Sequence, residues 1–188
     1  MSTTTKTLSA EHGGGTNTDF SQCHSGIISH LMVFGGLPTL LESALLESAA
    51  QAKHLAQEAL AFFRNSVHAH HAEEERDLFP VVVAEATQGA ERAHVQAIVE
   101  RLIQEHREVE SSWTQLAPHL TKIANGESAS LSASDVETLV LDYAAHAAYE
   151  EAEFLPLCRA ILGRTRKHVS AADLSHHMAY IPTAPAPL

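Results

Sequence analysis

The 188-residue chain has the length of one domain and, at 45 % hydrophobic residues, enough apolar material to bury a core without disulfides. A formal net charge of −11 argues against nucleic acid, whose phosphates reward clustered Lys and Arg, and two cysteines, Cys23 and Cys158, supply neither a disulfide framework nor a Cys-x-x-Cys pair. Fourteen histidines are left to explain.

Residues 1–18 are polar and Gly-rich and read as a disordered lead-in. They lack the apolar core of a signal peptide, and no apolar run approaches the roughly 18 residues of a membrane span, so a cytoplasmic protein with no membrane partner is expected. Asp19 or Ser21 can cap a first helix, along which Phe20, Ile27, Ile28, Leu31, Phe34, Leu41 and Leu45 recur at helical spacing. Gly35-Gly36 and Pro38 should split it into two pieces.

A second helix runs from about residue 48 to 86, with Leu55, Leu60, Phe63, Val67, Leu78 and Val81 on one side, interrupted at Pro80 and closed by Gly89. The third spans residues 91–124 through Val95, Ile98, Leu102, Ile103, Val109, Trp113 and Leu116, with a kink expected at Pro118 and a stop at Asn125-Gly126. Ser132 or Ser134 caps the fourth, which carries Val136, Leu139, Val140, Tyr143, Phe154, Leu157 and Ile161 before Gly163 ends it. No strand pattern competes. The expected fold is all-α, an up-down-up-down antiparallel four-helix bundle over residues 19–163, followed by a Pro-rich tail at 164–188.

One phrase occurs twice. His70-His71-Ala-Glu-Glu74-Glu75-Arg-Asp-Leu-Phe-Pro80 is echoed by His146-Ala-Ala-Tyr-Glu150-Glu151-Ala-Glu-Phe-Leu-Pro156, with His, Glu-Glu and Pro at matching offsets. Residues four apart share a helix face, so His70 with Glu74 and His146 with Glu150 can each grip one ion from an apolar stripe. Buried carboxylates need a cation, and core-facing Lys or Arg are scarce on these stripes, which leaves a metal. His106 on the third helix and His24 on the first, with His30 as its rival, extend the set. Four histidines and two glutamates suffice for two metals if each glutamate bridges both. His71 and Glu75 have the same four-residue spacing, so the register of the first pair stays open on spacing alone.

These residues make the chain resemble the hemerythrin-like, HHE cation-binding proteins, over roughly residues 20–162. The carriers are His24 with its apolar follow-on, the two repeated phrases, and Glu105-His106-Arg107. The resemblance implies two non-haem iron ions, bridged by an oxo or hydroxo group or water and held by His24, His70, Glu74, His106, His146 and Glu150. It resolves the register in favour of His70 and Glu74, which match His146 and Glu150 when counted back from Pro80 and Pro156.

The implied partner is a small ligand, O2, NO or peroxide, bound or sensed; the alternatives are turnover of peroxide or nitric oxide, iron donation for iron–sulfur cluster repair, and a metal-free scaffold. Repair proteins of this kind carry an extra cysteine-bearing N-terminal segment, and residues 1–22 contain no cysteine. Respiratory hemerythrins place a further histidine one turn before the His106 position, where this chain has Leu102, so a fifth histidine is missing and water or Tyr143 is the candidate replacement. Zinc suits His and carboxylate too, but structural zinc takes four closed tetrahedral ligands, so iron is preferred. Glu75, Glu151 and Glu153 are expected near solvent, holding imidazole tautomers, and Glu110 is a lesser extra ligand. His54, His68, His94, His119 and His168 read as surface residues, and His176-His177 as a short tract without a role.

Overall fold

A computed structural model describes residues 15–42 and 46–164, with side chains at 22–41 and 48–164. Among the described residues all regular structure is helical, and it falls into four rods. The first consists of α1 (Gly15–Gly35) and the short α2 (Leu37–Glu42), divided at the predicted glycine pair, where the Gly36 amide donates to Val33 O at 3.1 Å. This helix starts at Gly15, so Asp19 and Ser21 lie within it rather than ahead of it. The remainder of the expected lead-in, Leu45 and the C-terminal tail with His168, His176 and His177 fall outside the described residues.

The second rod is α3 (Leu46–Phe62), a π-helical turn (Phe63–Val67), α4 (His68–Glu73), a second π turn (Glu74–Leu78) and α5 (Phe79–Glu85). The third is the unbroken α6 (Ala90–Ala124), which absorbs Pro118 without ending. Its end is a Gly C-cap: Gly126, at φ +81°, donates to Ile123 O at 2.9 Å, and Glu127 donates to Lys122 O at 2.9 Å. The fourth is α7 (Ala133–Tyr149), a π turn (Glu150–Phe154) and α8 (Leu155–Arg164), and Ser132 is its cap, accepting from the Asp135 amide at 3.3 Å.

The four rods pack as a four-helix bundle would. Gln57 near the start of the second rod donates to Ala124 O at the end of the third, at 3.0 Å, and Arg92 at the start of the third reaches Ala86 O, past the end of the second, at 2.8 Å. Arg164 at the end of the fourth pairs with Glu91 at the start of the third. Two aromatic layers bound the interior. Phe63 lies flat on Trp113 with ring centres 4.0 Å apart, with Phe34 against the same indole, and Phe79 meets Phe154 edge-on at 5.1 Å. Burying each such ring is worth about 1.5–3 kcal/mol.

The segment Gln22–Leu41 is long and apolar enough, at mean hydropathy 1.2, to pass for a membrane span, which corrects the expectation that no run comes near one. Here its apolar side, Cys23, Ile27, Leu31 and Phe34, is buried in the shared core.

Candidate metal centre

The two repeated phrases fold the same way for a reason that starts at their prolines. Pro80 and Pro156 have no N–H, and a proline ring inside an α-helix collides with the carbonyl four residues back. In both places the preceding turn widens: the Phe79 amide bonds Glu74 O and the Leu155 amide bonds Glu150 O, five residues back. The rod continues instead of breaking. Glu74 and Glu150 are the first residues of these two wide turns, and both side chains are buried.

Seven polar side chains meet between the aromatic layers, each at most 4 % exposed: His24, His70, His71, Glu74, His106, His146 and Glu150. They form two groups, His24 with His70, Glu74 and Glu150, and His71 with His106 and His146. In each group one ligand atom per residue lies within 4.8 Å of all the others. His24 Nε2 is 3.0 Å from Glu150 Oε2 and 3.2 Å from His70 Nε2. Glu74 leans both ways, 3.3 Å from His70 Nε2 through one oxygen and 3.4 Å from His106 Nε2 through the other. The rings of His71 and His106 are stacked at 3.9 Å, with His146 edge-on to His106 at 4.7 Å.

A ring of carboxylates backs the histidines from outside. His24 Nδ1 donates to Glu151 at 3.0 Å, His106 Nδ1 to Glu75 at 2.9 Å and His146 Nδ1 to Glu105 at 3.2 Å, while His71 Nδ1 stands 3.5 Å from Glu110. Arg107 ties two of these together, pairing with Glu75 and, at 3.1 Å, with Glu110. A proton held on Nδ1 leaves the Nε2 lone pair pointing inward, as a metal ligand requires.

The interior is electrostatically tense without a cation. Burial pushes the His70, His71, His106 and His146 imidazoles towards the neutral form, His146 down to about 4. Burial opposes charge on His24 too, but Glu150 and the bonds to Glu150 and Glu151 outweigh it and lift its pKa to about 10. Glu150 is held below the usual carboxylate range, its own burial overcome by His24, and Glu74 is raised well above it by burial and by Glu150. Both oxygens of Glu74 and of Glu150, and the Nε2 atoms of His71, His106 and His146, lack a well-aligned hydrogen bond. Native interiors rarely leave so many polar atoms in one place unsatisfied, and the donor set, imidazole nitrogen with carboxylate oxygen, is that of a transition-metal site.

All six residues singled out in the sequence are therefore brought together, and a seventh, His71, joins them. The sequence reading set His71 aside with Glu75 as a rival register. In the structure Glu75 sits at the rim as a partner of His106, whereas His71 is fully interior and stands in the group that Leu102 leaves short of a histidine. The signal was the doublet itself: neighbours on a helix are turned by about 100°, so in a rod that is buried over a wide face both can point inward. His30 does not join; it stacks on Phe62 at 4.3 Å and donates from Nδ1 to Gly26 O at 2.9 Å. Leu102 is core, Glu153 is exposed, and His54, His68, His94 and His119 are exposed.

A family model, the hemerythrin HHE cation binding domain, matches residues 29–158. The match starts five residues after His24, so it takes in every candidate ligand except that one. An uncharacterized protein of Haemophilus influenzae is 26 % identical over 153 residues, covering 79 % of this chain and 84 % of that protein. No solved structure matches.

Proposed function

Since the chain belongs to the hemerythrin HHE cation-binding family, we propose that it is a non-haem two-iron protein that binds or senses O2, NO or peroxide. The observation that carries this reading is the pair of buried donor groups, in which both oxygens of Glu74 and Glu150 and the inward Nε2 atoms of His71, His106 and His146 lack a well-aligned hydrogen bond. The proposal includes an up-down-up-down antiparallel bundle over residues 19–163, flanked by a lead-in and a tail. The free, buried cysteines and acidic composition suit a cytoplasmic protein.

In this proposal His24 and His70 would hold one ion and His71, His106 and His146 the other, with Glu74 and Glu150 available to both. Iron, when bound, supplies open coordination positions and a redox couple matched to diatomic and peroxide ligands. The chain does the rest. Glu151, Glu75 and Glu105 keep protons on the outer ring nitrogens of His24, His106 and His146 and so fix those imidazoles in their ligating orientation, with Glu110 close to His71. The layers of Phe63 with Trp113 and Phe79 with Phe154 exclude water from above and below. Five imidazoles to two carboxylates leave little negative charge at the centre, which favours the ferrous state and reversible binding over harsh oxidation.

Elemental analysis of protein purified without a His-tag, with visible spectra before and after dithionite, tests the reading. About two irons per chain are expected, one for each donor group. New absorption bands should appear when O2, NO or peroxide is mixed with the reduced protein. A chain that takes up no iron, or an iron form blind to all three ligands, would overturn it. Saturation near one equivalent of ligand marks a binder, and sustained consumption of peroxide or NO marks an enzyme.

A further inference from the structure

Tyr143 is fully buried at the heart of the bundle, yet its hydroxyl has no hydrogen-bond partner. Its ring touches both donor groups: centres lie 6.5 Å from His24, 6.1 Å from His71, nearly parallel to it, and 5.9 Å from His146. Phenylalanine would fill the same volume without stranding a donor, so packing alone gives no reason for the oxygen. The orphaned carboxylate oxygens and Nε2 atoms nearby are accounted for as metal ligands, which offer lone pairs; the Tyr143 phenol, like the outer Nδ1 atoms of His70 and His71, has a proton to give, and it alone sits on a side chain with no ligand role.

We propose that Tyr143 is the hydrogen-bond donor of the exogenous-ligand pocket, binding an anionic or oxygen-bearing small ligand seated between the two metal groups. The inference rests on the two-iron reading and adds to it the polar wall of the ligand site. Several features agree. A phenol carries its proton at neutral pH and can give it to a ligand oxygen or nitrogen. A ligand that accumulates negative charge when it binds, as O2 and NO do at ferrous iron, is the kind that a neutral O–H donor retains.

Azide, a small anion that accepts hydrogen bonds, is the probe. Wild type and Tyr143→Phe are loaded with iron, their metal content is measured, and azide is titrated into the ferric forms while the azide stretching band is recorded by infrared spectroscopy. Tyr143→Phe should load iron as wild type does, bind azide about tenfold to a hundredfold more weakly, and shift the azide stretch, as expected for loss of a hydrogen bond to a charged acceptor. Equal affinity and an unmoved band in the loaded variant would overturn this inference while leaving the two-iron reading intact. A phenolate-to-iron absorption band in ferric wild type that disappears in Tyr143→Phe would overturn it differently, by making Tyr143 a ligand itself. Failure of wild type to load iron would remove both readings together.

Discussion

The second and fourth rods carry the same phrase and the same proline-driven wide turn, yet their glutamates settle in opposite states. Glu150 has His24 at 3.0 Å and keeps its charge; Glu74, beside histidines that burial holds neutral and facing Glu150, is pushed towards protonation. The same local phrase thus favours the charged form of one carboxyl and the neutral form of the other, because His24 of the first rod pairs closely with only one of them. The lesson is that a contact from another rod, His24, favours charge on one carboxyl, while burial and the neighbouring Glu150 disfavour it on the other.

The sharpest way to break this comparison is to remove each glutamate from the metal-free protein. Glu150→Ala strands a buried imidazolium and should destabilise the chain by about 3 kcal/mol at pH 6, whereas Glu74→Gln, which replaces an already neutral group, should change stability by less than about 1 kcal/mol. Urea denaturation of both variants reads the difference, and equal losses would refute the asymmetry. Both variants should nevertheless bind metal poorly.

Metal stoichiometry separates the two rods next. His71 has no counterpart in the fourth rod, where Ala147 stands at the equivalent position. His71→Ala should lower the iron content from about two towards about one per chain, since it depletes the group that has three histidines and no carboxylate of its own. Retention of both irons would show that His71 is only a stacking partner of His106.

Alkaline pH probes the His24–Glu150 pair directly. A pKa raised from 6.5 to about 10 means that the folded chain binds the His24 proton more tightly than the unfolded chain does. The stability this gives the metal-free protein is complete below pH 6.5 and disappears as pH rises through about 10; Glu150→Gln should flatten that loss. Metal binding must also expel the protons of His24 and Glu74, so calorimetry in buffers of different ionisation heat should detect proton release at pH 7, with less of it in Glu74→Gln.

The smallest effect is expected at the rim. Glu75→Gln leaves the ligands in place but weakens the acceptor that orients His106, and should lower metal affinity about 10-fold to 100-fold. Arg107→Ala, one bond further out and half exposed, should fall below that. An Arg107 effect equal to that of Glu75 would mean that the carboxylates need their clamp.

How much of this was legible in the sequence differs from rod to rod. In α6, which has no wide turn, Val95, Ile98, Leu102, Val109, Trp113 and Leu116 are buried as the 3.6-residue period predicts, and Ile103 partly so. In the second rod the same extrapolation chose Val81, but Phe79 and Val82 are buried and Val81 only partly so. In the fourth it chose Leu157, where Leu155 and Cys158 hold the interior. The wide turn inserts one residue into the helical count, so every position after it is rotated by about 100°. Pro80 reads as an interruption in the sequence and Pro156 does not; whether a proline breaks a helix, kinks it or widens a turn depends on the packing that holds the rod together on both sides.

The sequence by itself determined the helical class and the repeated four-residue His–Glu spacing, because helical periodicity and the desolvation of buried carboxylates are local constraints written in spacing and residue type; the register that selects His70 and Glu74 came from the family resemblance. Only the tertiary structure decided that His71 is interior, that Glu74 and Glu150 differ in charge, and that each outer carboxylate backs a histidine of another rod. Those depend on distances across the bundle between residues 31 to 127 positions apart, where Coulomb and hydrogen-bond energies change within an ångström and no sequence period reports them.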